Sequence, residues 1–172
     1  MRFEKITYDR LYKDAGTARD NPYQNSDDIR HIYDNLKLPQ RSTKGSAGYD
    51  FFAPYKIVIP YGKSVIIPTG IKAQINDGWF LALFPRSGHG FKFGIEIANT
   101  VGIIDSDYYN NENNEGHIMV KLTNKDSTTK KTFKVEAGQA FCQGIFIPYG
   151  ITDDDDKTDK DIRNGGFGST DK

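Results

Sequence analysis

Ile71-Lys72-Ala73-Gln74-Ile75-Asn76-Asp77-Gly78-Trp79-Phe80-Leu81-Ala82-Leu83-Phe84 decides the fold class. Its first part alternates apolar and polar residues. On an extended chain this puts Ile71, Ala73 and Ile75 on one face and Lys72 and Gln74 on the other. Asn76-Asp77-Gly78 is a turn signal, and residues 79–84 beyond it are apolar throughout, the pattern of a strand buried on both faces. The period of two recurs downstream, where Ile118, Val120 and Leu122 alternate with Met119 and Lys121, and Phe133 and Val135 with Thr132 and Lys134. Residues 145–147 form a second run apolar on both faces. Pro60-Tyr61-Gly62, Pro68-Thr69-Gly70 and Ala137-Gly138 punctuate these segments. Many short strands without intervening helical patterns predict an all-β sandwich or barrel.

Two stretches depart from that pattern. Residues 9–38 are polar and contain Ile29, Ile32, Tyr33 and Leu36 at i, i+3, i+4 and i+7, the spacing of a short amphipathic helix. They read as an insertion ahead of the barrel. Residues 152–162 carry six aspartates and two lysines and are followed by Arg163-Asn164-Gly165-Gly166-Phe167-Gly168-Ser169-Thr170. Such a composition predicts a mobile C-terminal arm. The expected division is therefore a β-barrel over 1–150 and an acidic linker with a glycine-rich end over 151–172.

Composition narrows the function. With 172 residues the chain is long enough for one domain with a substantial core. Its 23 basic and 23 acidic residues balance, so no electrostatic footprint for nucleic acid or an anionic membrane is present. The single cysteine, Cys142, excludes an internal disulfide and suits a reducing compartment. His31, His89 and His117 lack zinc-ligand spacing. Without a signal-peptide core or a membrane-length apolar run, a cytoplasmic location is expected.

The chemistry concentrates in Val101-Gly102-Ile103-Ile104-Asp105-Ser106-Asp107-Tyr108-Tyr109, an apolar run leading into an acidic turn with two rings. By itself this is also what a strand end with a solvated Asp-Ser-Asp turn looks like. Its company settles the reading. Five blocks occur in order: Ala47-Gly48-Tyr49-Asp50, Pro85-Arg86-Ser87-Gly88, residues 99–108, residues 138–143 and residues 165–170. Together they resemble the five motifs of the trimeric deoxyuridine triphosphatase (dUTPase) family, and the resemblance runs from about residue 38 to the C-terminus.

The resemblance implies a jelly-roll β-barrel and hydrolysis of dUTP to dUMP and pyrophosphate. That reaction keeps uracil out of DNA and supplies dUMP for dTMP synthesis. Cleavage between the α- and β-phosphates needs an in-line water and groups that absorb phosphate charge. Asp105 matches the residue that activates the water. Tyr108 matches the ring that packs under the deoxyribose and excludes a ribose 2′-hydroxyl. Asn99, Ile103, Ile104 and Met119 would form a β-hairpin whose backbone reads uracil. Arg86, Ser87, Gly88 and Gln143 would face the phosphates, and Asp50 would act on Mg²⁺ through water. In the C-terminal lid, Phe167 would stack on uracil while Arg163, Gly168, Ser169 and Thr170 reach the phosphates. A homotrimer with shared active sites is implied as well.

Four features depart from the family pattern: Ala140 where an arginine is usual, Arg163 one residue closer to Phe167, a longer loop over 109–115, and His89 where an apolar residue is common. The nearest rival, dCTP deaminase, shares the fold but needs a glutamate where Lys121 stands. A regulatory binding protein on the same fold, docking through 9–38 or 110–115, is the other alternative.

Overall fold

The computed structural model describes residues 1–17 and 26–155. In chain order its elements are β1 (Arg2–Lys5), α1 (Tyr8–Thr17), α2 (Ser26–Asn35), β2 (Gln40–Arg41), β3 (Tyr49–Phe52), β4 (Ile57–Ile59), β5 (Ser64–Pro68) and β6 (Ile71–Gln74). There follow β7 (Trp79–Pro85), α3 (Ser87–Phe93), β8 (Ile95–Ile97), β9 (Gly102–Ile104), a 3₁₀ turn (Ser106–Tyr108), β10 (Met119–Asn124), β11 (Phe133–Val135) and β12 (Ala140–Pro148). The largest sheet runs β2-β3-β12-β7-β9. A second runs β5-β10-β8, and the pairs β1-β6 and β4-β11 complete the walls. All of the pairings are antiparallel.

The period-two segments became strands because each could bury one face. Ile71 and Ala73 are buried while Gln74 is exposed, and Ile57 and Ile59 are buried while Val58 is exposed. One continuous core joins these residues to Leu81, Leu122 and Phe141. Residues 145–147 differ from the expectation of full burial, being only half-buried. Phe146 packs on Phe3 and Tyr49 inside, with ring centroids 5.4 and 5.8 Å apart. Ile145 and Ile147 alternate onto the opposite face, beside Ala82 and Phe80, and lie outside the core cluster.

The predicted helix is present as α2, and a further helix, α1, precedes it. This region is no appendage, since Leu11, Ala15, Ile29 and Leu36 belong to the core cluster. β1 ties the N-terminus to the barrel by pairing along β6.

Candidate active site

The sequence-predicted residues fall into two groups. The first surrounds a cavity of about 620 Å³ walled by Asn99, Ile103, Ile104 and Met119, together with Asp14 of α1. Asn99 sits in a tight turn in which the Val101 amide donates to the Asn99 carbonyl at 2.7 Å. Thr100 in this turn has φ 69°. A β-branched residue in the left-handed region is strained, and such strain gathers beside functional surfaces. Asp105 follows β9 directly in extended conformation (φ −81°, ψ 161°), half-buried, with its side chain not capping the turn behind it. Tyr108 is buried, its hydroxyl donating to the His117 carbonyl at 2.9 Å and accepting from Asn114 Nδ2 at 2.6 Å.

The expected hairpin from Asn99 to Met119 is not formed. β9 pairs with β7, whereas β10 pairs with β5 and β8. The 3₁₀ turn carries the chain away after Asp105. Ile118 is then captured by the β5–β6 corner, its amide donating to the Ile71 carbonyl at 2.9 Å. Met119 still reaches the cavity, but from a different sheet.

The second group lies where β3, β12 and β7 meet. Register places Gln143 opposite Asp50 and Cys142 opposite Pro85. Arg86 Nε lies 3.2 Å from Asp50 Oδ1, and Gln143 Nε2 donates to the Pro85 carbonyl at 3.2 Å. The glycine of the first block has a steric reason. A Cβ on Gly48 would come within 2.5 Å of Gln143 Oε1.

Arg86 and Ser87 open α3 rather than forming a bare turn. The first-turn amides of Ser87 and Gly88 have no acceptor within the helix. Arg86 Nη1 also reaches the Ala140 carbonyl at 3.5 Å, so the backbone at position 140 is in contact with this cluster although its side chain carries no charge. His89 fills its apolar position as a ring, packed edge-on to Phe133 at 4.9 Å, and burial pushes its imidazole below the usual range.

Among the described residues no three His, Cys, Asp or Glu side chains converge to cage a metal. Asp50, largely buried beside Arg86, fits an acid that would hold a hydrated Mg²⁺ through water. Arg163, Phe167, Gly168, Ser169 and Thr170 lie outside the described residues.

The two groups occupy opposite ends of β7. Ile104 pairs with Leu81, which puts Asp105 beside the Phe80 end, while Arg86 follows the other end at Pro85. Along an extended strand that separation is roughly 20 Å.

Sequence reasoning missed Asp14, His117 and Asn114. Spacing in the sequence tests His117 only as a metal ligand, and its partner Asp14 lies 103 residues away, beyond the reach of any local pattern.

Comparison with known proteins bears on the whole arrangement. Residues 34–171 match the model of the dUTPase family. The deoxyuridine 5′-triphosphate nucleotidohydrolase of Lactococcus lactis is 41% identical over 135 residues, covering 78% of this chain and 88% of that protein. The dUTPase of Streptococcus mutans superposes with a TM-score of 0.65 at 38% identity, covering 89% of this chain and 99% of that one. A dUTPase from phage phi11 of S. aureus, solved with a structural Mg(II) ion, is similar in fold at 21% identity and TM-score 0.56, covering 69% and 88%.

Proposed function

The chain belongs to the dUTPase family and hydrolyses dUTP to dUMP and pyrophosphate, and we propose that Asp105 activates the attacking water. The observation that carries this assignment is the placement of Asp105 at the end of β9, whose Ile103 and Ile104 wall the cavity with Asn99 and Met119. A half-buried carboxylate there accepts the proton of a water aligned with the α-phosphorus. Uracil fits the apolar wall and is read by backbone groups near Asn99. Such a site rejects cytosine because mismatched donors and acceptors would be left buried. The Tyr108 ring packs beneath the deoxyribose and leaves no room for a 2′-hydroxyl.

Arg86, Ser87, Gly88 and Gln143 bind the phosphates, with the Arg86 guanidinium held in place by Asp50. Mg²⁺ bound to those phosphates would neutralise developing charge, with Asp50 as its water-bridged protein partner. Phe167, with Arg163, Gly168, Ser169 and Thr170, closes over uracil and phosphates as a lid on the barrel of residues 1–150. The setting is cytoplasmic, where a lone buried thiol such as Cys142 stays reduced.

A homotrimer with shared sites completes the assembly. Two features support it: Asp105 and Arg86 stand at opposite ends of one strand, and the outer face carrying Phe80, Ile145 and Ile147 is apolar yet only half-buried. A neighbouring copy that brings its Arg86 cluster to this chain's Asp105 answers both.

The test is pyrophosphate release from dUTP, dCTP, dTTP and UTP, alone and with Asp105→Asn. Release is expected from dUTP, with Asp105→Asn binding dUTP but not turning it over. Equal rates on all four nucleotides would sink the selectivity, and normal turnover by Asp105→Asn would remove it as the base.

A further inference from the structure

The N-terminal segment, from β1 into α1, is bonded to the 109–116 loop, a stretch to which the family pattern gives no task. The Thr7 amide donates to the Glu115 carboxylate at 3.0 Å, Arg10 Nη1 donates to the Asn113 carbonyl, and the Tyr109 hydroxyl donates to Glu4 Oε2 at 2.8 Å. Deeper in, His117 Nδ1 donates to Asp14 Oδ2 at 2.6 Å, and Arg10 pairs with the same carboxylate. His117 is 0% exposed and Asp14 5%. The other ring nitrogen, Nε2, accepts the Gly70 amide at 2.8 Å, so both sides of the imidazole are held.

One residue, Tyr108, joins this network to the turn that follows Asp105. The His117 carbonyl accepts the Tyr108 hydroxyl, and Asn114 of the same loop donates to that hydroxyl from the other side. Gly116 lets the loop close: it has φ 76°, and a Cβ there would come within 2.5 Å of the Tyr108 carbonyl. Asp14 itself forms part of the cavity wall with Asn99, Ile104 and Met119.

We propose that Asp14 and His117 are positioning residues that pin the Tyr108 ring through its hydroxyl, so that the segment ahead of the barrel sets how well dUTP is told from UTP. This rests on the assignment of Tyr108 to the sugar. Excluding one hydroxyl by shape requires a wall that does not yield, and a phenol anchored at its far end cannot tilt away. Without Asp14 the buried His117 N–H loses its acceptor. His117 must then turn or admit water, which shifts the carbonyl that holds Tyr108.

The experiment compares kcat/KM for dUTP and UTP in the full chain and in Asp14→Ala, Asp14→Asn, Tyr108→Phe, Tyr108→Ala and the Asp14→Ala/Tyr108→Phe double variant. The dUTP/UTP ratio is expected to fall roughly tenfold in Asp14→Ala and in Tyr108→Phe, and no further in the double variant. Asp14→Asn, which keeps an acceptor for His117, should recover most of the ratio; if the alanine variant fails to fold, Tyr108→Phe decides, and a wild-type ratio there overturns pinning through the hydroxyl. A wild-type ratio in both Asp14 variants, with the ratio reduced in Tyr108→Phe, overturns the positioning role and leaves Tyr108 at the sugar. A wild-type ratio in Tyr108→Ala overturns the assignment of Tyr108 itself, and the proposal with it.

Discussion

His117 carries no proton on Nε2, because that nitrogen accepts the Gly70 amide. Its proton sits on Nδ1 and points at Asp14. Burial pushes the imidazole below its usual range, and the bond to Asp14 offsets this only in part. Burial works to raise the Asp14 carboxyl, but hydrogen bonds from His117 and Arg10 outweigh it and hold the group below the usual carboxylate range. The signs give two windows. A histidine with a lowered folded pKa contributes stability that is complete above its unfolded value, about 6.5, and is lost as pH falls through the folded one. Asp14 adds a second loss at lower pH, below the ordinary aspartate value. The denaturant midpoint should therefore decline as pH drops below about 6.5. His89, also lowered by burial, acts in the same direction. Repeating the titration in His89→Phe isolates the share of His117, and a flat midpoint in that variant would contradict a neutral His117.

At the scale of elements, β12 is closely packed at Gly144. Gly144 lies across from Leu83, and a Cβ there would come within 2.9 Å of both Leu81 Cδ1 and Phe51 Cε2. Gly144→Ala should cost roughly 1–3 kcal/mol by overpacking. At about 2–4 °C per kcal/mol for a domain of this size, calorimetry will register the loss. An unchanged melting temperature would mean that β3 and β7 can part to admit a methyl group. The strands were legible in the sequence because one-sided burial writes a period of two. Helix α2 was legible from Ile29, Ile32, Tyr33 and Leu36. The partner of β9 was not legible, since a short run such as Gly102–Ile104 has two edges and nothing local states which neighbour takes them. Neither was the fusion of α1 with the 109–116 loop, which depends on Arg10 and Asp14 meeting residues about a hundred positions away.

For the whole molecule, the opposed ends of β7 lead to a sharp expectation. Arg86→Ala and Asp105→Asn should each be inactive alone. Unfolded and refolded together, they should regain activity in roughly a quarter of sites, those pairing an intact Asp105 with an intact Arg86 from another copy. No recovery on mixing would mean that each site is built within one chain. Removing residues 164–172 should abolish turnover while sedimentation still reports a trimer, and a fully active truncation would dismiss the lid.

The sequence by itself determined the β-barrel class and the family, and it supplied the residues proposed for the chemistry. Alternation, turn residues and short motifs are local properties, and Asp105, Tyr108, Arg86 and Asp50 are named by the blocks that contain them. Only the tertiary structure decided which of these stand together. It set Asp50 on Arg86 and Gln143 across from Asp50, put Asp105 at the far end of the same sheet, and brought Asp14 beneath the cavity to hold His117. Those placements follow from strand register and from the need to satisfy buried polar groups, and both are set by partners distant along the chain.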